Sequence, residues 1–423
     1  MLEKPKLFLN LKQFWFSMVF LFFLLTLRLS FLYIEYQNFI EKPFYFTEVE
    51  VLQAYKKTKD KKSYTVLKLY SSDLNLNFFT TTFLNSKKID KKLRMKLFPS
   101  RRMKFKEYLG TSFIDSKVNE IFSEEKSYKT EFLNFIACQH ENKMIADFYN
   151  AIFFANPLEK KLRNQVSKLG ISHLIALSGY HLAILSGLLF FLLRPLYRFF
   201  QKRYFPYRFG LIDVGFFVLL ILAWYVWFVD SPASLIRSYM MILTTWILLL
   251  LGIELLTLSF LTTITLVLLI IFPHLLFSLA FWFSIVGVFY IFLLLHYFSS
   301  LPKIIMTLII SFGLFILMLP IVHMVFPLTT PLQLLSPFLS LFFSLFYPLS
   351  ILFHLLGIGG VFDTLLLQLF MMNSSSSSLL LPHFFTGFYL LLSVGAFYFR
   401  TLFYLLLVCS LTFFIYLFIG FWL

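Results

Sequence analysis

A hydroxyl and an imidazole stand close together in an apolar stretch, HLIALSGYHLAILSG, at residues 173–187. Ser178 and His181 are three residues apart, a spacing that puts two side chains on neighbouring turns of a helix. A serine beside a histidine has the residue types of a nucleophile and its general base in a serine hydrolase. That chemistry also needs an oxyanion hole, and no GxSxG motif surrounds Ser178. A membrane-embedded serine hydrolase therefore remains an alternative, and we do not predict an enzyme.

Metal binding and nucleotide chemistry are less well supported. Histidines that bind zinc commonly stand at i and i+4 or in an HExxH motif, and cysteine pairs are the other common pattern. None of these patterns occurs around His173 and His181, and Cys138 and Cys409 are far apart in the chain. No GxxxxGK(S/T) motif and no dinucleotide fingerprint is present either. We predict no metal, no cofactor and no built-in ATP-driven motor.

Placed on an ideal helix at about 100° per residue, the stretch separates two faces. Gly179, Ala183 and Gly187 fall at about 0°, 40° and 80°, a stripe of small residues through which another helix can approach closely. Ser178 and His181 fall at roughly 260° and 200°, on the opposite side. Polar residues inside a membrane usually face the protein interior or a water-filled cavity. We therefore predict helix packing through the small residues and a channel lining from the polar ones.

A second polar pair stands in FVDSPASLIRSYMM, residues 228–241. An arginine inside an apolar run is costly and needs a partner, and Asp230 is near enough in sequence to reach Arg237 across a turn. The two residues form either an interfacial charge pair or part of a pore near its outer mouth. The predicted channel lining is then His173, Ser178, His181, Asp230 and Arg237.

The elements that carry these residues are predicted to be membrane helices. The chain has 423 residues, is 59% hydrophobic and has a mean hydropathy of +0.80. Because a span needs roughly 20 mostly apolar residues, we predict a polytopic α-helical membrane protein with about 10–11 spans. The predicted spans are residues 14–34, 173–193, 211–229, 234–251, 256–272, 275–297, 304–325, 331–350, 350–371, 384–399 and 401–421. The serine-rich run at residues 372–382 is expected to be a flexible loop.

Between the first span and the others lies a polar region, residues 38–140. Apolar and polar residues alternate there in several short segments separated by polar turns, which is typical of strands. We predict a small β-rich domain, for which the oligonucleotide-binding barrel is one option. Its most basic segment, Ser86–Lys106, has ten basic residues and one acid. The ten are Lys87, Lys88, Lys91, Lys92, Arg94, Lys96, Arg101, Arg102, Lys104 and Lys106.

The orientation is predicted from the positions of lysine and arginine, which are enriched in cytoplasmic loops. The segment at residues 194–208 holds five of these residues and is predicted to be cytoplasmic. Counting spans backwards places the N-terminus of the chain in the cytoplasm. The polar region at residues 38–140 then lies outside, and long domains of this kind cross the membrane largely regardless of charge.

HLIALSGYHLAILSG resembles a motif of the ComEC competence-protein family, in which His-Leu-Leu-Ala-Ile-Ser-Gly-Leu-His-Val precedes a long apolar run. The matching residues are His173, Leu174, Ala176, Ser178, Gly179 and His181. The segment DSPASLIRSYMMI resembles a later family segment through Ser231, Pro232 and Arg237. In a third block the usual Asp and Gln of the family are replaced by Phe272 and Trp282. The polar region also resembles the external, oligonucleotide-binding-like domain of the same family.

The resemblance implies a channel in the bacterial inner membrane that passes single-stranded DNA into the cytoplasm during natural transformation. The residue types agree with this function, because the ten basic residues would guide the DNA through its phosphates. Aromatic residues near lysines would stack on its bases, among them Tyr64, Tyr70, Phe78 and Phe105. A cytoplasmic helicase-like motor and a periplasmic DNA receptor would be the partners. Longer members carry a C-terminal metallo-β-lactamase-like domain, whose HxHxDH motif this chain lacks; the chain resembles a short form.

The predicted domain organisation has four parts. They are the cytoplasmic N-terminus with the first span (1–37), the external basic domain with its helical lead-in (38–140), the transmembrane channel domain (141–371), and the serine-rich loop with the C-terminal spans (372–423). The membrane-embedded hydrolase and a small-solute transporter remain the alternatives to the channel. The sequence leaves the oligomeric state open, a homo-oligomer included.

Overall fold

The computed structural model describes residues 8, 10–59, 62–74, 76–83, 92–122, 128–250 and 257–421. The chain divides into two compact units. The first unit contains Lys6–Thr130 and Ser259–Trp282, and the second contains Glu131–Leu258 and Phe283–Leu423. Each unit is described by itself.

The first unit begins with a helix that is longer than a membrane span requires. Helix α1, Leu11–Glu41, has 31 residues, which corresponds to roughly 46 Å at 1.5 Å per residue. The hydrocarbon core of a bilayer is only about 30 Å thick, so the helix continues beyond the predicted span at residues 14–34. Its last turns join the domain that follows, because Phe39 is buried in that domain's core and the Tyr36 hydroxyl donates to the Met103 carbonyl.

Six strands follow α1 and form a small barrel. They are β1 (Tyr45–Lys59), β2 (Lys62–Ser71), β3 (Leu76–Thr82), β4 (Lys92–Phe98), β5 (Thr111–Phe113) and β6 (Asp115–Phe122), with helix α2 (Phe105–Leu109) between β4 and β5. Strand β1 pairs antiparallel with both β2 and β4, and β3 pairs antiparallel with β2. The sheet closes because β5 pairs parallel with β3 while β6 pairs antiparallel with β4, and only Ile114 separates β5 from β6. The small β-rich domain predicted after the first span is confirmed.

The barrel core follows from the period-two alternation of its strands. Along β4, Leu93, Met95 and Leu97 are fully buried, whereas Lys92 and Arg94, which alternate with them, are exposed. This is the pattern of a strand with one face in the core and one face in solvent. Half of this basic strand therefore stabilises the fold through apolar burial, and its charged half is left on the outer surface.

The second unit is mainly helical. Its helices up to residue 250 are α3 (Tyr128–Ala137), α4 (Lys143–Phe154), α5 (Lys160–Lys168), α6 (Ser172–Ile175), α7 (Gly179–Tyr204), α8 (Gly210–Phe228) and α9 (Ala233–Leu250). The later helices of the chain are α10 (Leu258–Ile271), α11 (Leu279–Phe298), α12 (Lys303–Val322), α13 (Ser336–Leu355), α14 (Asp363–Met371), α15 (His383–Tyr398) and α16 (Arg400–Ile419). Strands β7 (Leu328–Thr329) and β8 (Ser377–Ser378) pair with each other. Of these helices, α10 and the first residues of α3 and α11 belong to the first unit.

Among the described residues, seven helical segments are long and apolar enough to cross a membrane. They are α1, α7, α8, α11, α12, α16 and the segment Pro331–Leu355, which contains α13. Three shorter apolar segments, Leu258–Ile271, Gly359–Met371 and His383–Tyr398, fall below the length of a full span. The polytopic membrane fold is thus confirmed, with fewer full-length spans among the described residues than the 10–11 predicted.

Two segments differ from the sequence predictions. The span predicted at residues 350–371 is broken, because α13 ends at Leu355 and Gly357 takes a left-handed backbone with φ of 77°, a conformation that glycine adopts without steric cost. The serine-rich run at residues 372–382 is not entirely a loop. Ser377–Ser378 pairs with β7, and the Leu379 amide donates to the Pro327 carbonyl at 2.8 Å.

Candidate functional site

The motif at residues 173–187 is not one continuous helix. Helix α6 ends at Ile175, and α7 begins only at Gly179. Between them Ser178 has extended backbone angles, φ −137° and ψ 178°, and is the N-cap of α7. The predicted helix angles therefore hold only from Gly179 onward, and the angle predicted for Ser178 does not apply.

Ser178 and His181 form a reciprocal cap at the start of α7. The Tyr180 amide donates to Ser178 Oγ at 3.3 Å, and the Ser178 amide donates to His181 Nδ1 at 3.4 Å. The first amides of a helix have no carbonyl partner within the helix, and a capping box satisfies two of them at once. The spacing of three residues between the serine and the histidine is the spacing that such a box requires. The pair therefore has a structural role that needs no catalytic chemistry.

His181 is enclosed by aromatic rings rather than exposed to a passage. Its side chain is fully buried, and the rings of Phe343 and Tyr347 on α13 meet it edge-on at centroid distances of 5.1 and 4.9 Å. The Tyr180 hydroxyl donates to the Ser340 carbonyl at 3.0 Å, which adds a second contact between the two helices. The structure thus places His181 in the interface between α7 and α13.

The predicted packing stripe makes a close helix contact at Gly179. A Cβ atom added at Gly179 would lie 3.2 Å from Ser238 Oγ on α9. Ala183 and Gly187 lie on an exposed face, and a Cβ atom at Gly187 would meet nothing within 4 Å. Close approach of another helix is therefore seen only at the first of the three positions in the described part of the chain.

The other predicted lining residues lie in different surroundings. His173 is exposed on α6. Asp230 is exposed in the turn after α8 with a left-handed φ of 63°, and Ser231 follows with φ of 48°. Arg237 is 7% exposed and lies within α9. The five predicted residues thus divide into two exposed side chains, a capping serine and two buried side chains.

The outer surface of the barrel carries a cluster of aromatic rings around one lysine. Lys96 Nζ lies 3.7 Å from the ring centroid of Phe44, 5.4 Å from that of Phe46 and 5.6 Å from that of Phe98. The register places Lys96 directly opposite Phe46, while Phe98 lies two residues further along the same face of β4. All three rings are exposed, by 42%, 55% and 39% respectively. We call Phe44, Phe46, Lys96 and Phe98 the aromatic–lysine face.

Carboxylates from neighbouring strands pair with the basic residues next to this face. Lys92 Nζ lies 3.8 Å from Glu50 Oε1 on β1, and Arg94 lies 3.6 Å from Glu120 Oε2 on β6. All four side chains are more than half exposed, so each pair contributes little to stability. Glu50 and Glu120 are distant in sequence and are not counted in the charge of the Ser86–Lys106 segment. In the folded sheet they lie beside its basic residues and lower the local net positive charge.

The remaining basic residues of the predicted set are distributed around the same unit. Arg101 and Arg102 are exposed in the turn after β4, and Lys104 is exposed at the N-cap of α2. Lys106 Nζ lies 5.7 Å from the ring centroid of Phe277. Lys87, Lys88 and Lys91 lie outside the described residues.

The aromatic residues predicted from the sequence to stack on bases are not those of the aromatic–lysine face. Phe78 is fully buried in the barrel core, and Phe105 packs against Tyr33 and Tyr36 at centroid distances of 5.3 and 5.6 Å. These two rings are not free to stack on a ligand, and Tyr64 and Tyr70 are only half-exposed. The exposed rings were missed, although Phe44 and Phe46 show the period-two spacing that puts two side chains on one face of an extended segment.

Together, these features define a multi-pass membrane protein that carries a small barrel with an exposed basic and aromatic surface. The sequence pattern of the family described as competence protein matches residues 155–423, more than half of the chain, and the chain belongs to this family. Membership supports a role in DNA uptake in competence. The matched range includes both the 173–181 motif and the Asp230–Arg237 segment. No curated protein and no solved structure matches the chain.

The cap at the start of α7 gives a direct prediction. Replacing Ser178 with alanine removes the acceptor of the Tyr180 amide and is expected to lower the free energy of unfolding by about 1 kcal/mol. Ser178→Thr retains a hydroxyl and is expected to stay close to the wild type. Thermal unfolding of the purified protein measures the difference. Ser186→Ala is the control, because Ser186 Oγ donates to the Ala183 carbonyl within the same helix and caps no helix end. An equal loss in both alanine variants would contradict the cap.

Proposed function

We propose that this protein passes single-stranded DNA through the bacterial cytoplasmic membrane during natural transformation. In this proposal the N-terminus is cytoplasmic, the barrel faces outward, and the helices of the second unit provide the path. The observation that carries the proposal is the aromatic–lysine face, with three exposed phenylalanine rings arranged around Lys96. Membership of the competence family supplies the biological setting.

Exposed rings on a strand surface favour a single strand as the ligand. Bases in a duplex are already stacked on each other, whereas the bases of a single strand can stack on aromatic side chains without sequence preference. Lys96 adds a positive charge where the phosphate backbone would run, and binding of this kind weakens as salt rises. A donor strand of any sequence is the ligand that such a surface would accept.

Positive charge that could attract phosphates is stronger on the side of the aromatic–lysine face near Arg101 and Arg102 than on the side near Lys92 and Arg94. Lys92 and Arg94 are paired with carboxylates, whereas Arg101 and Arg102 are exposed in the turn that leaves β4. In small oligonucleotide-binding barrels, loops between strands contribute to the binding surface together with the strands. We infer that the strand runs from the aromatic–lysine face toward the Arg101–Arg102 turn.

In this proposal, some of the predicted lining residues of the second unit contact the DNA, and the others hold the helices in place. His173 and Asp230 are exposed and can meet the passing strand. Ser178 and His181 hold the start of α7 in position. Arg237, which is buried within α9, supports the wall of the path. A cytoplasmic helicase-like motor would supply energy, since no nucleotide-binding motif is found in the sequence, and an external DNA receptor would deliver the substrate.

The test follows labelled donor DNA in cells that lack the gene and carry either the wild-type chain or a variant. We expect DNA to remain outside the cytoplasm in the deletion strain and to enter when the wild-type chain is restored. Charge reversal at Lys96, Arg101 and Arg102 together is expected to reduce delivery while the protein stays in the membrane. Lys160→Glu, an exposed reversal on α5, controls for net charge. Undiminished delivery in the deletion strain would refute the proposal.

A further inference from the structure

A cluster of ionisable side chains joins three separate elements of the second unit. His140, in the turn between α3 and α4, has Nδ1 at 3.0 and 2.9 Å from the two carboxylate oxygens of Asp363, the first residue of α14. Its Nε2 lies 2.9 Å from Nε2 of His354, in the last turn of α13. The side chain of His140 is fully buried, that of Asp363 is 20% exposed, and His354 is 2% exposed.

Two further hydrogen bonds tie the same elements together. Gln139 Nε2 donates to the His354 carbonyl at 3.1 Å, and the Gly359 amide donates to Gln139 Oε1 at 2.9 Å. The turn between α3 and α4 is thus fastened to the turn between α13 and α14 by side chains of two consecutive residues, Gln139 and His140. We call this set of contacts the histidine latch.

The hydrogen-bond roles in the latch can be counted. The Ser350 carbonyl can only accept, so His354 Nδ1, at 2.6 Å from it, carries a hydrogen. The Asp363 carboxylate also accepts only, so His140 Nδ1 carries a hydrogen as well. The two Nε2 atoms face each other at 2.9 Å, and one of them must donate. The two imidazoles therefore carry three N–H hydrogens, one more than two neutral rings possess.

The charge of Asp363 and the ring of Tyr149 act in favour of a cationic imidazole pair, whereas the burial of His354 acts against it. With the proton, the cationic imidazole pair and the Asp363 carboxylate sum to zero charge, whereas without it the part-buried carboxylate faces two neutral rings. The Tyr149 ring on α4 stacks on His140 at 4.6 Å and 9° and meets His354 at 4.4 Å, a position that stabilises a cation by its π face.

Tyr149 itself does not compete for the proton. Burial, with a smaller contribution from the charge of Asp363, raises the pKa of Tyr149 far above its usual range. Among the described residues, the ionisable side chains in contact with the imidazole pair are Tyr149 from α4, which stays neutral, and Asp363 from α14.

We propose that His140, His354 and Asp363 form a proton-binding site whose bound proton holds the α3–α4 turn against the α13–α14 turn. Loss of the proton leaves two nitrogen lone pairs facing each other at hydrogen-bond distance, which converts an attractive contact into a repulsive one. The latch then opens at the Nε2–Nε2 contact while the chain remains folded. The site does not depend on the role of the protein in DNA transport.

The experiment reads the imidazole nitrogens directly. Protein labelled with 15N-histidine is placed in lipid nanodiscs, and His140 and His354 are assigned by single His→Gln variants among the eight histidines. We expect three protonated nitrogens on this pair at neutral pH. Asp363→Asn places an amide donor at His140 Nδ1, so two protonated nitrogens are expected. His323 is the internal control, because its Nδ1 lies 3.0 Å from the Leu319 carbonyl and its Nε2 lies 2.9 Å from the Thr329 hydroxyl, as in a neutral ring.

Two results would overturn the site. One is two protonated nitrogens on the pair in the wild type, and the other is a stoichiometric metal ion bound between the Nε2 atoms. Amide hydrogen exchange tests the mechanical role separately. Exchange at residues 138–142 and 356–362 is expected to accelerate at the pH where the third N–H is lost, and Asp363→Asn is expected to abolish that dependence. Exchange that is unchanged through this deprotonation would show that the proton does not close the latch.

Discussion

Replacing Phe44, Phe46 and Phe98 together with serine is expected to weaken binding of a single-stranded oligonucleotide by about a hundredfold. Each base stacked on an aromatic side chain contributes about 1–3 kcal/mol, and about 1.4 kcal/mol is a tenfold change in affinity. If two bases stack among the three rings, the loss reaches about a hundredfold. Fluorescence anisotropy with the full chain in lipid nanodiscs measures the change at fixed salt.

The controls for this experiment separate stacking from charge and from general surface change. Phe113 on β5 is 54% exposed, close to the 55% of Phe46, so Phe113→Ser should leave the affinity near the wild-type value. Lys96→Gln should weaken binding less and reduce the slope of log affinity against log salt by about 1. An unchanged affinity in the triple variant would show that these rings do not bind DNA, even if the protein transports it.

Replacing Gly359 with alanine is expected to disrupt the turn between α13 and α14. A Cβ atom at this position would lie 2.6 Å from His354 Cδ2 and 2.7 Å from Gln139 Oε1, inside the histidine latch. Overpacking of a well-packed site typically costs about 1–3 kcal/mol, and here it also separates hydrogen-bonded groups. We expect a lower midpoint of thermal unfolding in nanodiscs, together with faster amide exchange at residues 138–142.

The neighbouring glycine provides a matched control for this prediction. A Cβ atom at Gly360 has its nearest neighbour, the Gln139 carbonyl, at 3.5 Å, which is an ordinary van der Waals contact. Gly360→Ala should therefore unfold at nearly the wild-type temperature. Equal effects of the two substitutions would mean that the turn responds to loss of glycine in general, and the steric argument would fail.

The fold was largely predictable because its signals are local. Long apolar runs predict helices that can span a membrane, and alternation along β4 predicts that Leu93, Met95 and Leu97 form a core. The break after Leu355 was missed, because an apolar run has the same composition whether or not a left-handed glycine interrupts it. Length and hydropathy therefore predicted a membrane protein but overestimated its full spans among the described residues.

The candidate site was less predictable because its contacts join distant segments. A charge count along the Ser86–Lys106 segment does not include Glu50 and Glu120, which the sheet brings beside Lys92 and Arg94. His140 and His354 stand more than 200 residues apart and match no motif, so the scattered histidines gave no signal of the latch. The sequence singles out Ser178 and His181 by their spacing, but it predicts them as a channel lining, and only the hydrogen bonds of the structure show that they form a helix cap.

Helix α1 runs without interruption from its apolar stretch to Glu41, and its own Phe39 lies inside the barrel core. The barrel is therefore joined rigidly to a continuous helix and not through a flexible linker, so the helix and the barrel must rotate together. The aromatic–lysine face begins only three residues after the helix ends, so the rotation of the helix about its axis determines the direction in which the face points. One residue inserted into α1 before Tyr33 would rotate that face by about 100° around the helix axis and move it by about 1.5 Å along the axis, relative to the first part of the helix. Such a protein would keep every contact of the barrel and yet offer its rings in a different direction.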